Sequence, residues 1–249
     1  MDDYQLIRYK RHLLLSQIDV AGQQRLFDAS VLVVGTGGLG SPVLMYLAAA
    51  GVGKLHFYDN DTVEISNLQR QILFDSSVIG QSKVDAAADR LRAINTDCQL
   101  KAVASKLEGN ILNAAVAEVD LVIDCSDNFS TRFAVNRACV ENQKTLLSGA
   151  VIRMEGQLSE FNGHKSDMPC YQCLYQPDAY DDETCTSSGV LGPAVGVVGS
   201  LLATEAVKHI VGIGDGLEGR LLLFDAMAMR FNELKLKKDP ACPICGIES

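Results

Sequence analysis

Apolar residues along the chain fall first at helical and then at strand spacing. Leu6, Tyr9, Leu13 and Leu14 form an apolar stripe beside Arg8, Lys10 and Arg11, which predicts two short amphipathic helices in an N-terminal arm, residues 1–29. From Ser30 onward, short apolar runs alternate with helical segments. Strands are expected at 31–34, 55–58, 100–103, 121–124 and 145–147, with helices at 39–50, around 83–94 and through 131–141. This order predicts an α/β fold with a Rossmann-like, doubly wound, mostly parallel sheet and helices on both faces. Beyond Gly149 the segments 157–161, 220–224 and 231–236 have strand character without helices between them, so a C-terminal antiparallel extension is expected. Residues 167–188, rich in Asp, Pro, Ser, Thr and Cys, read as a long loop. One domain spanning 1–249 accommodates all of this, with 30–150 as its parallel α/β part and 151–249 as a second part.

The stretch from Ser187 to Thr204 is uncharged and nearly long enough to cross a bilayer. Gly189, Gly192, Pro193, Gly196 and Gly199 interrupt it, and Glu205 and Lys208 follow closely. A buried core or interface helix beginning with Pro193 and ending near Gly212 fits better, so no membrane is expected. A hydrophobic content of 47% over 249 residues permits a large core. The net charge of -9, with no basic run, argues against a nucleic-acid surface. Met1-Asp2-Asp3-Tyr4 does not look like the start of a signal peptide, so a cytoplasmic location with reduced cysteines is expected.

Against this background the turn Gly35-Thr36-Gly37-Gly38-Leu39-Gly40 stands between a strand and a helix, where backbone N–H groups can hold phosphate oxygens. Asp59, at the end of the next strand, is placed for a ribose hydroxyl. These features imply a nucleotide but do not separate NAD from ATP. The following run Ser66-Asn67-Leu68-Gln69-Arg70-Gln71, with Lys83 after it, supplies donors that suit a triphosphate. Solvated loop or helix charge is the plainer reading of Arg70 and Lys83. Asp127, in Asp124-Cys125-Ser126-Asp127-Asn128 at the carboxyl end of a strand, is a candidate to hold Mg²⁺ between phosphates. Asp127 or Asn128 could instead cap the next helix.

Cys170 with Cys173 and Cys242 with Cys245 form two Cys-x-x-Cys pairs. Four thiolates make a closed, structural Zn²⁺ site, whereas either pair alone could be redox-active. Cys185 stands apart in the acidic loop Asp181-Asp182-Glu183-Thr184-Cys185, whose charge should raise a thiol pKa rather than activate it. Cys98, Cys125 and Cys139 are expected to be buried apolar residues.

Together the glycine turn, Ser66 to Gln71, Asp124 to Asn128, Cys170-Tyr171-Gln172-Cys173-Leu174 and Cys242-Pro243-Ile244-Cys245-Gly246 resemble the bacterial ubiquitin-activating-enzyme-like adenylyltransferases, the MoeB/ThiF/HesA group. The resemblance runs from Arg8-Tyr9-Lys10-Arg11 to Gly246, and the segments 149–157 and Asp225-Ala226-Met227 are closer to the MoeB branch, the molybdopterin-synthase adenylyltransferases, than to the ThiF branch. It implies ATP-dependent adenylylation of the C-terminal glycine of a small ubiquitin-fold sulfur carrier, with 151–249 as the carrier-binding and zinc part. In the MoeB branch the carrier is the molybdopterin synthase small subunit, readied for thiocarboxylate formation in molybdenum cofactor biosynthesis; in the ThiF branch it serves the thiamine pathway.

Carried over by motif, Gly35, Gly37, Gly38, Gly40, Asp59, Ser66, Asn67, Leu68, Gln69, Arg70, Lys83, Asp127 and Asn128 would bind the nucleotide, with Asp127 on Mg²⁺. Arg11 would reach the partner's site in a homodimer, and Cys185 is the candidate for covalent sulfur chemistry. The chain stops four residues after Cys245, so sulfur is expected from another protein such as a cysteine desulfurase or a rhodanese. An NAD-dependent oxidoreductase and a non-catalytic zinc scaffold remain the alternatives of a different class.

Overall fold

The structure, a computed structural model, describes residues 1–176 and 189–246. Its sheet has eight strands in the order β3-β2-β1-β4-β5-β6-β7-β8. These are β1 (Ser30–Val34), β2 (Lys54–Tyr58), β3 (Gln99–Val103), β4 (Leu121–Asp124), β5 (Thr145–Ile152), β6 (Glu155–Phe161), β7 (Arg220–Asp225) and β8 (Arg230–Lys235). The first five strands pair in parallel and the last three antiparallel, as the pattern of 1–150 and the helix-free strands after Gly149 predicted. Strand β1 is buried throughout, because β-branched Val31, Val33 and Val34 and Leu32 are covered on both faces.

The helices are α1 (Asp3–Arg8), α2 (Lys10–Leu13), α3 (Asp19–Asp28), α4 (Gly40–Ala50), α5 (Lys83–Ile94), α6 (Gly109–Ala117), α7 (Phe129–Glu141), α8 (Tyr171–Leu174) and α9 (Gly192–Val211). The N-terminal arm has three helices where two were expected. Asp19, at φ 49°, opens α3 and accepts from the Ala21 N–H at 2.6 Å, an Asx-type turn that restarts the helix. Of the expected apolar stripe only Tyr9 is buried, edge-on to Phe27 and bonded to Asn95 at 2.9 Å. Leu6 and Leu14 are exposed. Helix α6 was not anticipated, since its Asn-Ile-Leu-Asn-Ala-Ala-Val run is too short to show a clear helical period.

Helix α9 is long and apolar enough to cross a membrane by length and composition. In the fold it lies in the core: Ala194, Val195, Val198, Leu202, Ala203 and Ala206 are buried against α4, β5 and β6. Its buried face explains the uncharged run as core packing. Pro193 sits in its first turn and Gly212, at φ 73°, ends it.

Candidate active site

Strands β2 and β4 flank β1 on opposite sides, so the sheet winds outward in both directions from β1 and leaves a crevice at the carboxyl ends of β1 and β4. The glycine turn occupies this crevice. Gly35 has φ 89°, a left-handed conformation that glycine adopts without strain, and a Cβ on Gly40 would lie 2.1 Å from the Gly35 carbonyl oxygen. The turn can therefore fold back onto the start of α4 only with glycine at both places.

Asp59 reaches under the turn from the end of β2. Its Oδ2 accepts from the Thr36 N–H at 2.8 Å and the Thr36 hydroxyl at 3.0 Å, and its Oδ1 accepts from the Asp61 N–H at 3.0 Å. A carboxylate has about four acceptor positions, so one is left for a ribose hydroxyl. Buried Thr36 was not among the sequence candidates, because an x position in a glycine motif carries no signal of its own.

The run after β2 returns to the same place. Residues Ile65–Asn67 form one 3₁₀ turn, in which Asn67 is buried and accepts from the Glu64 N–H at 3.1 Å, leaving its Nδ2 donors for a ligand. Ser66 is exposed and donates to Glu64 at 3.1 Å. Leu68 packs on the core rather than facing the crevice. The Arg70 guanidinium donates to the Ser66 carbonyl at 3.1 Å, and its aliphatic stem lies under Gly38. Gln71, quoted in the sequence but given no role, is buried beside Gly37 with its Oε1 unpartnered among the described residues. Gln69 meets the start of α9, where its carbonyl lies against Gly192.

Lys83 is not a solvated charge. Its side chain is only 7% exposed, and its Nζ lies 2.7 Å from Asp61 Oδ2. A buried ammonium needs a partner, and a solvated surface charge does not describe it.

At the end of β4, buried Asp124 accepts from the Ser126 N–H at 3.0 Å, and Arg132 donates to the Ser126 carbonyl at 2.7 Å. Burial pushes the Asp124 carboxyl above its usual range, and Arg132 works the other way. The cap of α7 is Asn128, whose Oδ1 accepts from the Thr131 N–H at 2.9 Å and the Ser130 hydroxyl at 2.9 Å. Its oxygen is therefore committed to the helix. Asp127 is exposed, and among the described residues its side chain meets Asn128 Nδ2, at 3.5 Å, so it is available to a hard cation. Arg11 is exposed on α2, and Cys185 lies outside the described residues.

The two Cys-x-x-Cys pairs converge. The four sulfurs all lie within 4.8 Å of one another, with Cys170 Sγ 3.6 Å from Cys242 Sγ and Cys173 Sγ 3.4 Å from Cys245 Sγ. Tetrahedral zinc with bonds of about 2.3 Å would separate its sulfurs by about 3.8 Å, so the set fits this ion. The Asp239 N–H donates to Cys173 at 3.4 Å, and the hydrogen bond from Cys170 draws the Cys173 thiol down to about 5, while Cys170 is pushed up. Burial raises Cys245 to about 11. Cys170, Cys242 and Cys245 are buried, and Cys170 stands at the N-terminus of α8.

Comparison with known proteins agrees with this geometry. The chain is 43% identical over 246 residues to molybdopterin-synthase adenylyltransferase of Escherichia coli (strain K12), covering 99% of this chain and 98% of that one. It is 42% identical over 246 residues to the sulfur carrier protein ThiS adenylyltransferase of the same organism, covering 99% and 97%. The fold is that of E. coli MccB crystallised with ATP, with a TM-score of 0.84 over 96% of this chain and 73% of that chain at 23% identity. The ThiF family model matches residues 9–244, and the chain belongs to the ThiF family.

Proposed function

We propose that this ThiF-family adenylyltransferase uses ATP to adenylylate the C-terminal glycine of a small ubiquitin-fold sulfur-carrier protein, the molybdopterin synthase small subunit, ahead of thiocarboxylate formation. The observation that carries the reading is the buried Lys83 ammonium in the same crevice as the glycine turn and Asp59. A nicotinamide ring asks for an uncharged pocket, whereas an ammonium with spare donors asks for phosphoryl oxygens.

In this reading the glycine turn and Asp59 hold the nucleotide, and Asn67, Arg70 and Lys83 meet its phosphates. The carrier carboxylate attacks the α-phosphorus, and pyrophosphate departs as its charge is met by fixed donors. Asp127 would hold Mg²⁺, which neutralises phosphate charge when bound. Arg11 acts across a homodimer, and a cysteine desulfurase or rhodanese supplies sulfur afterward, with Cys185 the candidate for covalent chemistry. Residues 30–150 serve the nucleotide and 151–249 the carrier and the zinc. Supporting that division, a groove lined by Arg132, Ser148, Gln157, Ser159, Tyr171 and Tyr175 begins at Ser148, the register neighbour of Asp124.

The test is ATP–pyrophosphate exchange with purified carriers of the molybdopterin and thiamine pathways, alongside an Asp127→Ala variant. Exchange should depend on carrier and collapse without Asp127. Exchange with neither carrier would sink the reading. The second reading, activation of the thiamine-pathway carrier, is favoured by the near-equal identities of 43% and 42%, and preference in this assay separates the two.

A further inference from the structure

Lys83 opens α5, and its ammonium has one hydrogen-bond partner among the described residues, the Asp61 carboxylate at 2.7 Å. The pairing is asymmetric: the lysine side chain is 7% exposed and the aspartate side chain 59%. Two main-chain contacts set it. The Lys83 N–H donates to the Asp61 carbonyl at 3.0 Å, and Thr62 and Ser82 form an isolated antiparallel bridge. Asp61 is itself fixed from behind, because its N–H donates to Asp59 Oδ1 at 3.0 Å while Asp59 Oδ2 holds Thr36. An unbroken chain of contacts thus runs from the glycine turn through Thr36, Asp59 and Asp61 to the Lys83 ammonium.

An exposed ion pair contributes little, but here one partner has left water and depends on the other. An ammonium carries three N–H donors, of which Asp61 takes one, so two remain for phosphoryl oxygens without breaking the pair. A lysine side chain also has four rotatable bonds and much rotamer freedom to lose. A fixed acceptor removes that freedom before the ligand arrives.

We propose that Asp61 is a positioning residue for Lys83, holding the ammonium pre-aimed at the nucleotide phosphates and tying its position to that of the glycine turn. The proposal rests on the reading that Lys83 meets those phosphates. Asp61 does not touch substrate and acts through the lysine. Its loss should free the ammonium to wander and so weaken both nucleotide binding and turnover.

The experiment is a double-mutant cycle of Asp61→Ala and Lys83→Ala, with Asp61→Asn as the conservative variant. In carrier-dependent pyrophosphate exchange, Asp61→Ala should lower kcat about tenfold, equivalent to about 1.4 kcal/mol, and raise KM for ATP about threefold. Asp61→Asn, which keeps an acceptor, should recover kcat to within about threefold of the parent. In the Lys83→Ala background, Asp61→Ala should change nothing further. A general structural defect would instead lower Tm and multiply with the lysine change. The same cycle is read by titration with the ATP analogue AMPCPP, which needs no carrier. There the two changes should depart at least threefold from the product of their separate effects. If Lys83→Ala weakens AMPCPP binding and the cycle is additive, the role of Asp61 is overturned and that of Lys83 stands. If Lys83→Ala leaves AMPCPP binding unchanged, the phosphate role of Lys83 falls, and Asp61 falls with it. Absence of exchange with every carrier strikes at the acceptor assignment alone, and the titration still decides the pair.

Discussion

The Asn128 side chain accepts a hydrogen bond from the Thr131 backbone N–H at 2.9 Å and so caps α7, while its neighbour Asp127 caps nothing. Of these adjacent polar residues, Asn128 serves the helix, and Asp127 is left for the Mg²⁺ role proposed above. Asn128→Ala should lower stability by about 1 kcal/mol, a Tm decrease of about 2–4 °C for a chain of this size, whereas Asp127→Ala should leave Tm within about 1 °C and remove exchange activity. Thermal melts of the two variants beside exchange rates check this, and a large Tm loss in Asp127→Ala would contradict it.

Purified protein should contain about one zinc per chain, bound by Cys170, Cys173, Cys242 and Cys245. Cys173→Ser should lower zinc content and Tm together, because breaking a four-thiolate set unlinks β8 and its flanking segment from α8. Metal analysis with calorimetry decides it; a metal-free protein of unchanged Tm would refute the clamp.

Cys98, Cys125 and Cys139 should resist a thiol reagent at pH 8 in the native protein. Burial raises Cys98 to about 12 and pushes the other two higher still, so almost no thiolate is present. Mass spectrometry of labelled peptides, with and without denaturant, should find these three modified only after unfolding.

Glu160 on β6 is buried, which by itself raises its pKa, but hydrogen bonds from His209 and Asn162 outweigh burial and hold it below the usual 4.5. A carboxyl whose folded pKa is depressed contributes stability above its unfolded pKa and loses it as pH falls through the folded one. Tm should therefore drop on acidification below about pH 4.5 more steeply in the parent than in Glu160→Gln. Equal slopes over pH 3 to 6 would exclude the effect.

Most of the architecture was legible because its signals are local. Short apolar runs mark β1, β2, β4 and the start of β5, and Pro193 and Gly212 bracket α9. The glycine turn, Asp59 and the four cysteines could be read from spacing, since each belongs to a short motif. The partner of Lys83 could not: Asp61 is 22 positions away and looked like one acid in an acidic run. Thr36 was hidden for the same reason, because its value arises from meeting Asp59 across two strands. The arm was misjudged by one helix because an Asx turn at Asp19, and not hydrophobic period, divides it.

The convergence of the two cysteine pairs has a consequence for how the chain is assembled. Residues 174–241 form a closed ring once the four sulfurs share an ion, and α9, β7 and β8 all lie inside it. Closing a ring of this size removes conformational freedom from the unfolded chain worth about 4 kcal/mol in simple polymer terms. An ion held there could close the ring only after Cys245 has been made, so that closure would follow synthesis of the parallel strands β1 to β5. Metal supply would then govern the yield of folded enzyme rather than its rate per molecule.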